Sequence, residues 1–332
     1  MAFLYVTEEG TYIKLKSNRY VVMKQLETIV DIPCESLEGL VIFDKVQISS
    51  QAIASILQQG VFITWITGRG EHIGRLESPF ATNVDRQKQQ MILSMNDEYK
   101  LAIAKQFVNA KVNNSIVLLR RYNRERMIES VYNKIGIMSS LKNKIPKIST
   151  IDALMGHEGY MAKLYFEALA VIVPEKFRFR GRSKNPPLDM FNAMLSMGYT
   201  LLQYEIQTSV INYGLNAYFS FYHTATSRYT ALAYDLIEEW RAPIVDSLVL
   251  SLMSSNQINI NDFSPKLPNG AVYLNHEGRK KFIIAYEKKM LSINKYCGAS
   301  YSYRHTINWQ VESLIKSIMA NDASLYEPII IR

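Results

Sequence analysis

Four side chains of this sequence are of the types that hold a hard metal ion. They are Glu158 in Leu154-Met155-Gly156-His157-Glu158-Gly159, His223 at the end of Phe219-Ser220-Phe221-Tyr222-His223, and Asp235 with Glu238 in Leu232-Ala233-Tyr234-Asp235-Leu236-Ile237-Glu238-Glu239. Three carboxylates and one imidazole suit Mg²⁺ or Mn²⁺ better than Zn²⁺, whose structural sites favour several Cys or His ligands, and the imidazole tilts the choice toward Mn²⁺. A hard divalent ion lowers the pKa of a water or hydroxyl nucleophile and neutralises charge growing on phosphorane oxygens. Both effects serve the cutting or joining of a phosphodiester. Spacing alone is a weak signal, because helical proteins carry many carboxylates and a histidine in an apolar setting is usually a satisfied core residue.

The surroundings of these residues add a polyanion to the picture. Between Asp85 and Thr150 there are 13 Lys/Arg against 5 Asp/Glu, a surplus equal to the net charge of +8 carried by all 332 residues. A basic stretch this localised favours a phosphate-backbone partner over a small acidic metabolite, although many charge runs are solvated helical faces. With 48% hydrophobic residues the chain can build a sizeable core. The N-terminus lacks the basic, apolar and small-residue regions of a signal peptide, and no 18 apolar residues run uninterrupted, so a cytoplasmic protein without a membrane partner is expected. Cys34 and Cys297 stand far apart without a CxxC pair, which supports neither a disulfide framework nor a zinc knuckle, and both are expected to be buried.

The elements that must position the four residues fall into two sets. Period-two runs at Phe3 to Thr7, Tyr12 to Leu15, Tyr20 to Met23, Leu40 to Phe43, Val61 to Ile66 and His72 to Leu76, broken by glycines, predict a β domain. Ser49-Ser50 before Ala52, Ile53, Ile56 and Leu57 predicts one short helix in it, ended by Gly60. After Pro79 the spacing becomes helical. We therefore expect an α+β protein, a small N-terminal β domain (residues 1–82) joined to a larger all-α domain (83–332).

In the second domain, Ser149-Thr150-Ile151-Asp152 has the S-x-x-D form of a capping box and opens a helix to about Val171. Glu158 falls on the apolar stripe of Leu154, Met161, Tyr165 and Leu169, where an acid needs a partner. Gly156 and Gly159, each costing roughly 1 kcal/mol relative to Ala in a helix, suggest close approach by a backbone or a ligand. Asp189, after Pro186-Pro187, caps a helix from Met190 to Val210. A helix over Thr230 to Arg241 places Asp235 and Glu238 at i and i+3 on one face, and Pro243 can open the next helix. The remaining helices are expected at 88–112, 113–136, 243–255, 276–292 and 301–320.

Other motifs carry less. Gly68-Arg69-Gly70-Glu71-His72-Ile73-Gly74 has its third glycine one place late for a phosphate-cradling loop and reads as a turn. His72, His276 and His305 lack metal spacing, and His157 points about 100° away from Glu158 around the helix, so all four are structural or supporting. Tyr20 beside Arg19 is a candidate for stacking on a base.

Leu154 to Gly159, Arg182 with Asn185-Pro186-Pro187-Leu188-Asp189, Asn192 to Leu202, Asp235 to Arg241 and Gly270 to Phe282 together give the chain, over nearly its whole length, a resemblance to the CRISPR-associated integrase family, the larger of the two universal spacer-acquisition proteins. The resemblance implies a metal-dependent DNA integrase and endonuclease of a prokaryotic cell, in which the 3′-hydroxyl of a protospacer attacks the CRISPR repeat by transesterification. It implies Mg²⁺ or Mn²⁺ at Glu158, His223 and Asp235, with Glu238 catalytic and close by. It also implies homodimers built through the β domains, a small ferredoxin-like adaptation partner, and protospacer and repeat DNA as substrates. Arg182, Arg228 and Arg241 are expected phosphate contacts, since guanidinium binds phosphate bidentately, although Arg241 can equally pair with Glu238. Phe219, Ser220 and Ser227-Arg228-Tyr229-Thr230 depart from the family's usual pattern and leave the conformation of the loop from His223 to Arg228 open. Two rival functions share these residues: a catalytically silent DNA-binding scaffold whose acids only pair with arginines, and a stand-alone metal-dependent repair nuclease.

Overall fold

The computed structural model describes residues 2–43, 45–69, 71–78, 82–224, 230–296 and 299–331. Two compact units divide the chain, Met1–Thr82 and Asn83–Arg332.

The first unit holds two four-stranded sheets. In one, β1 (Ala2–Val6), β5 (Leu37–Phe43) and β7 (Ile63–Ile66) run parallel and β8 (His72–Leu76) closes the edge antiparallel. In the other, the order is β4 (Glu27–Pro33), β3 (Arg19–Lys24), β2 (Thr11–Lys16) and β6 (Gln47–Ile48). The β2–β3 hairpin turns on Ser17 and Asn18, both at positive φ (49° and 59°), the twist that a two-residue hairpin turn requires. Val6, Ile13, Tyr20, Leu40, Ile42 and Ile56 pack into one core shared by strands of both sheets and α1 (Ser50–Gln58). Ser49 caps α1 by accepting from the Ala52 amide at 3.2 Å, and Gly60 follows it at φ 74°, as the spacing predicts. Gly39 is obligatory for a different reason, since a Cβ there would lie 2.3 Å from the Phe62 ring. Strand β4 was not expected: it is a largely exposed edge strand and lacks a buried alternating face. Tyr20 is fully buried with its hydroxyl 3.0 Å from Ser55 Oγ, so it is a core residue and not a stacking platform.

The second unit is helical, with one short ribbon of β9 (Ile293–Tyr296) and β10 (Ala299–Ser302). Its first helices are α2 (Val84–Ser94), α3 (Asp97–Asn123) and α4 (Glu129–Lys142), where helices at 88–112 and 113–136 were expected. The starts of α2 and α3 are set by capping side chains instead of by Gly or Pro: Asn83 and Asn96 accept from the amides of Arg86 and Tyr99. Helix α5 (Ile151–Ile172) is capped by Thr150 Oγ1, which accepts from Ala153, so the cap is one residue later than the expected box. Asp189 caps α6 (Met190–Asn212) as predicted. After α7 (Ala231–Ile237) the chain turns and enters a π-helical turn, Arg241–Asp246, before α8 (Ser247–Ser254), so Pro243 lies inside this turn and does not open a helix. Helices α9 (His276–Leu291) and α10 (Tyr303–Ala320) complete the unit. Helix α3 packs on α4 and α5, while α6 packs on α7 and α10.

Buried polar residues tie these helices together. Arg304 on α10 donates to Glu205 of α6 at 2.6 and 3.0 Å and to Glu287 of α9 at 2.9 Å, a paired charge that burial alone would not tolerate. Asn114 of α3 donates to the carbonyls of Glu239 and Ile329, both at 2.8 Å, and accepts from the Ile331 amide at 2.9 Å. The buried Glu239 accepts from the Tyr326 hydroxyl and the Ile329 amide, each at 2.6 Å. These bonds bolt α3 and the final stretch of chain to the segment that follows α7.

Candidate active site

A cavity of about 1220 Å³ in the helical unit is lined by Glu158, His223, Glu238, Arg182 and Arg241, along with Lys111, Tyr199 and Asp246. Glu158 lies on α5, one helical turn beyond the buried Leu154 and one before the buried Met161. A Cβ added at Gly156 or Gly159 would meet nothing within 4 Å, so no backbone packs there, and Gly159 itself lines the cavity.

His223 sits on a segment without regular structure, which two buried side chains hold in place. At its base, Gln90 of α2 donates to the carbonyls of Asn216 and Phe219 at 2.8 and 2.7 Å and accepts from the Asn216 amide at 2.8 Å. At its tip, Asp235 of α7 gathers four donors. Its Oδ2 accepts from the amides of Phe221 (2.7 Å) and Tyr222 (3.1 Å), and its Oδ1 accepts from the His223 amide (2.9 Å) and His223 Nδ1 (2.8 Å). Three successive amides around one carboxylate form an anion nest, and the carboxylate on Nδ1 fixes the ring proton there. Nε2 is left with its lone pair, on a side chain that lines the cavity.

Asp235 and Glu238 therefore do different things. Asp235, expected among the metal ligands, is fully buried with four donors on its oxygens and is not among the residues that line the cavity. Glu238, left open in the sequence as a direct ligand, is the one that reaches the cavity. Its Oε2 lies 2.6 Å from Lys111 Nζ and 3.1 Å from Arg241 Nε, ion-pair distances that do not make well-aligned hydrogen bonds. Burial works against the Glu238 charge, but Arg241 and Lys111 outweigh it and hold the carboxyl down to about 2. Lys111 also donates to Glu158 Oε1, so one ammonium from α3 bridges two carboxylates from α5 and from the turn after α7. Its own burial lowers its pKa, and Glu238 and Glu158 more than reverse this.

Two arginines flank the ring of Tyr199 on α6, Arg241 at 4.4 Å and Arg182 at 5.4 Å from its centroid. Arg182 is braced by Asn192 Oδ1 (2.9 Å) and Ser196 Oγ (3.2 Å), while Arg241 makes the ion pair with Glu238 that sequence reasoning left as an alternative. Arg228 lies outside the described residues. Beneath these arginines Asp246 accepts from the hydroxyls of Tyr165 (2.6 Å) and Tyr199 (2.5 Å). Burial pushes its carboxyl up to about 6, against the pull of those hydroxyls and of Arg241.

This raised value predicts a pH dependence of known sign. The folded state keeps a proton that the unfolded state has released between about pH 4 and 6, so stability falls as pH rises through that window and levels off above it. Asp246→Asn is expected to gain on wild type by roughly 3 kcal/mol across the window, read by urea unfolding at about pH 4 and pH 7. A difference that does not change with pH would remove Asp246 as the titrating group.

The remaining histidines have structural contacts. His157 donates from Nε2 to the Leu141 carbonyl at 2.8 Å, His305 stacks on Tyr301, and His276 Nδ1 lies 3.2 Å from Glu277. Thr67 and Glu71 close the turn that precedes β8, as read from the glycines around it. Cys34 is buried, and Cys297 lies outside the described residues. Part of the basic run is engaged within the unit: Arg126 donates to the Ile172 carbonyl, Lys105 to that of Pro146, and Lys134 pairs with Glu167. Lys111 was counted in that run but not singled out, and its helix offered no pattern to separate it from the other twelve. Asp246, Tyr199 and Gln90 were likewise missed, since each looks like an ordinary polar or aromatic helix residue.

Among the described residues no three Asp, Glu or His side chains already stand at metal-ligand spacing. The donors nonetheless fit a hard cation: two carboxylates and an imidazole face one cavity, and an ammonium marks where positive charge is held between the two acids. No helix among the described residues is long and apolar enough to cross a membrane.

Both the sequence and the fold are similar to those of known proteins. The CRISPR-associated endonuclease Cas1 of Mycobacterium tuberculosis is 30% identical over 327 residues, covering 98% of this chain and 96% of the relative. The fold is similar to that of a casposase bound to integration product, with a TM-score of 0.86 at 22% identity over 100% of this chain and 96% of the other. It is also similar to a chain of a Cas6-RT-Cas1–Cas2 complex, with a TM-score of 0.84 at 21% identity, spanning 99% of this chain and 36% of that longer one. Residues 4–288 match the family described as CRISPR associated protein Cas1, and the chain belongs to that family.

Proposed function

We propose that this protein is a divalent-metal-dependent DNA integrase and endonuclease of CRISPR adaptation, which joins protospacer 3′-hydroxyls to the CRISPR repeat. The reading rests above all on the meeting, in one cation-lined cavity, of Glu158, Glu238 and His223 from three separate segments. Family membership and the likeness to a casposase support it.

Glu158, Glu238 and His223 Nε2 are the groups that would hold Mg²⁺ or Mn²⁺, with Asp235 as the residue that orients His223. When bound, such an ion lowers the pKa of the attacking hydroxyl and offsets charge growing on the phosphate. Arg182 and Arg241, both near the ring of Tyr199, supply guanidinium groups for a phosphate. Lys163, Arg180 and Lys184 extend the positive wall along which a strand can lie. In transesterification one P–O bond forms as another breaks, so no energy source is needed beyond the duplex and its target. The β unit is proposed to build the homodimer, and a small ferredoxin-like protein to join two dimers.

Reconstitution with the ferredoxin-like partner encoded beside it, a short duplex with free 3′ ends and a plasmid bearing the repeat array is expected to give covalent half-site products in Mn²⁺ or Mg²⁺. Duplexes ending in 3′-deoxy nucleotides are expected to give none. Rapid cutting of generic DNA without the partner and without joining would instead identify a repair nuclease, and DNA retention without any covalent product in either metal would identify a scaffold.

A further inference from the structure

Resting on that reading of the site, we propose that the Lys111 ammonium is a built-in competitor of the metal, holding the Glu158 and Glu238 carboxylates together in most metal-free molecules and giving them up when a divalent cation binds. One nitrogen bridges Glu158 Oε1 and Glu238 Oε2, so the same two oxygens cannot take a divalent ion while it remains. Its position is imposed by packing. One helical turn along α3, Asn114 donates to the Glu239 carbonyl at 2.8 Å, and Ser115 Oγ donates back to the Lys111 carbonyl at 2.9 Å. The backbone beside Glu238 and the root of Lys111 are thus bolted to one another. Without the lysine, two half-buried to buried acids of like charge would face each other, an arrangement that disfavours the protein and favours a divalent ion.

The consequence is a conformational tax on loading. Apparent affinity equals the intrinsic affinity reduced by the fraction of molecules in which Lys111 has withdrawn. If the ammonium holds the two acids in at least nine molecules of ten, removing it tightens binding by about tenfold or more. Arginine at the same position keeps the charge and should keep the competition.

The test is Mn²⁺ binding to purified protein, read from the paramagnetic signal of free Mn²⁺, for wild type, Lys111→Met and Lys111→Arg. Unfolding midpoints with chelator and with saturating Mn²⁺ provide a second readout. Lys111→Met is expected to bind about tenfold tighter or more, to be less stable than wild type in chelator, and to gain more stability from Mn²⁺. Lys111→Arg is expected to bind no tighter than wild type. If wild type binds Mn²⁺ and Lys111→Met binds equally or more weakly, the competition is refuted while the metal site stands. If Lys111→Arg tightens as much as Lys111→Met, charge is not what competes and the inference fails. If neither wild type nor Lys111→Met binds Mn²⁺, the metal reading of the cavity falls and the inference with it. Should Lys111→Met not fold, Lys111→Gln carries the same expectations.

Discussion

Asp235→Ala is expected to lose strand joining by on the order of 10²- to 10³-fold while its Mn²⁺ affinity falls by only about 10- to 100-fold, the range typical of residues that orient a metal ligand. The argument lies in where the Asp235 oxygens point. Removing them strips the amides of Phe221, Tyr222 and His223 of their acceptor and frees the imidazole to rotate. Each buried amide left without a partner costs roughly 1–3 kcal/mol, so the variant should also unfold at a lower temperature. A general loss of stability would not alter the imidazole tautomer, however. The ¹⁵N resonances of His223 should show the proton on Nδ1 in wild type and a mixture of tautomers in Asp235→Ala. If Asp235→Ala binds no Mn²⁺ at all while variants of Glu238 bind it normally, Asp235 is a direct donor and the roles assigned here are exchanged.

Glu238→Gln is the converse case, and its effect on chemistry should be larger. Joining measured in a single turnover is expected to fall by on the order of 10³-fold, about 4 kcal/mol of transition-state stabilisation, with Mn²⁺ binding weakened more than in Asp235→Ala. Glutamine is the fairer substitution, because it keeps the volume and an amide oxygen that can accept from Arg241, whereas alanine would leave that cation beside Tyr199 with nothing in the acid's place. Lys111 keeps Glu158 in either variant, so the local fold has a fallback. Joining within about tenfold of wild type would show that Glu238 only neutralises Arg241.

The sequence exposed some of this plainly and hid the rest for physical reasons. Helices α5 and α6 were legible because short capping residues mark their starts, Asp189 at the expected position and Thr150 one residue after the expected Ser149. The breaks before α3 and α4 were not, since Asn96 caps through a side chain common on any polar surface and Ile128 starts α4 without a side-chain cap. Strand β4 hides because an edge strand with most of its residues in solvent shows no alternation of burial. At the site, residue types and helical spacing were enough to nominate Glu158, His223, Asp235 and Glu238. They could not divide the work between Asp235 and Glu238, because i and i+3 on a helix specify a shared face and say nothing of which acid meets the amides of a distant loop. Lys111 shows the same limit from the other side: a lysine in a basic helix looks solvated until α5 and the turn after α7 bring their acids to it.

The wiring of the histidine segment also bears on when the protein can act. Gln90 fixes residues 216–219, Asp235 fixes 221–223, and Asn114 reaches both Glu239 and the stretch at Ile329. A chain made only to its midpoint lacks His223, Asp235 and Glu238, because helices made early wait for partners made more than a hundred positions later. A half-translated chain can carry the basic helices and dwell on nucleic acid, yet it has no means to break it. The long-range closure of the fold therefore ties the proposed chemistry to the folding of a chain already made past residue 239.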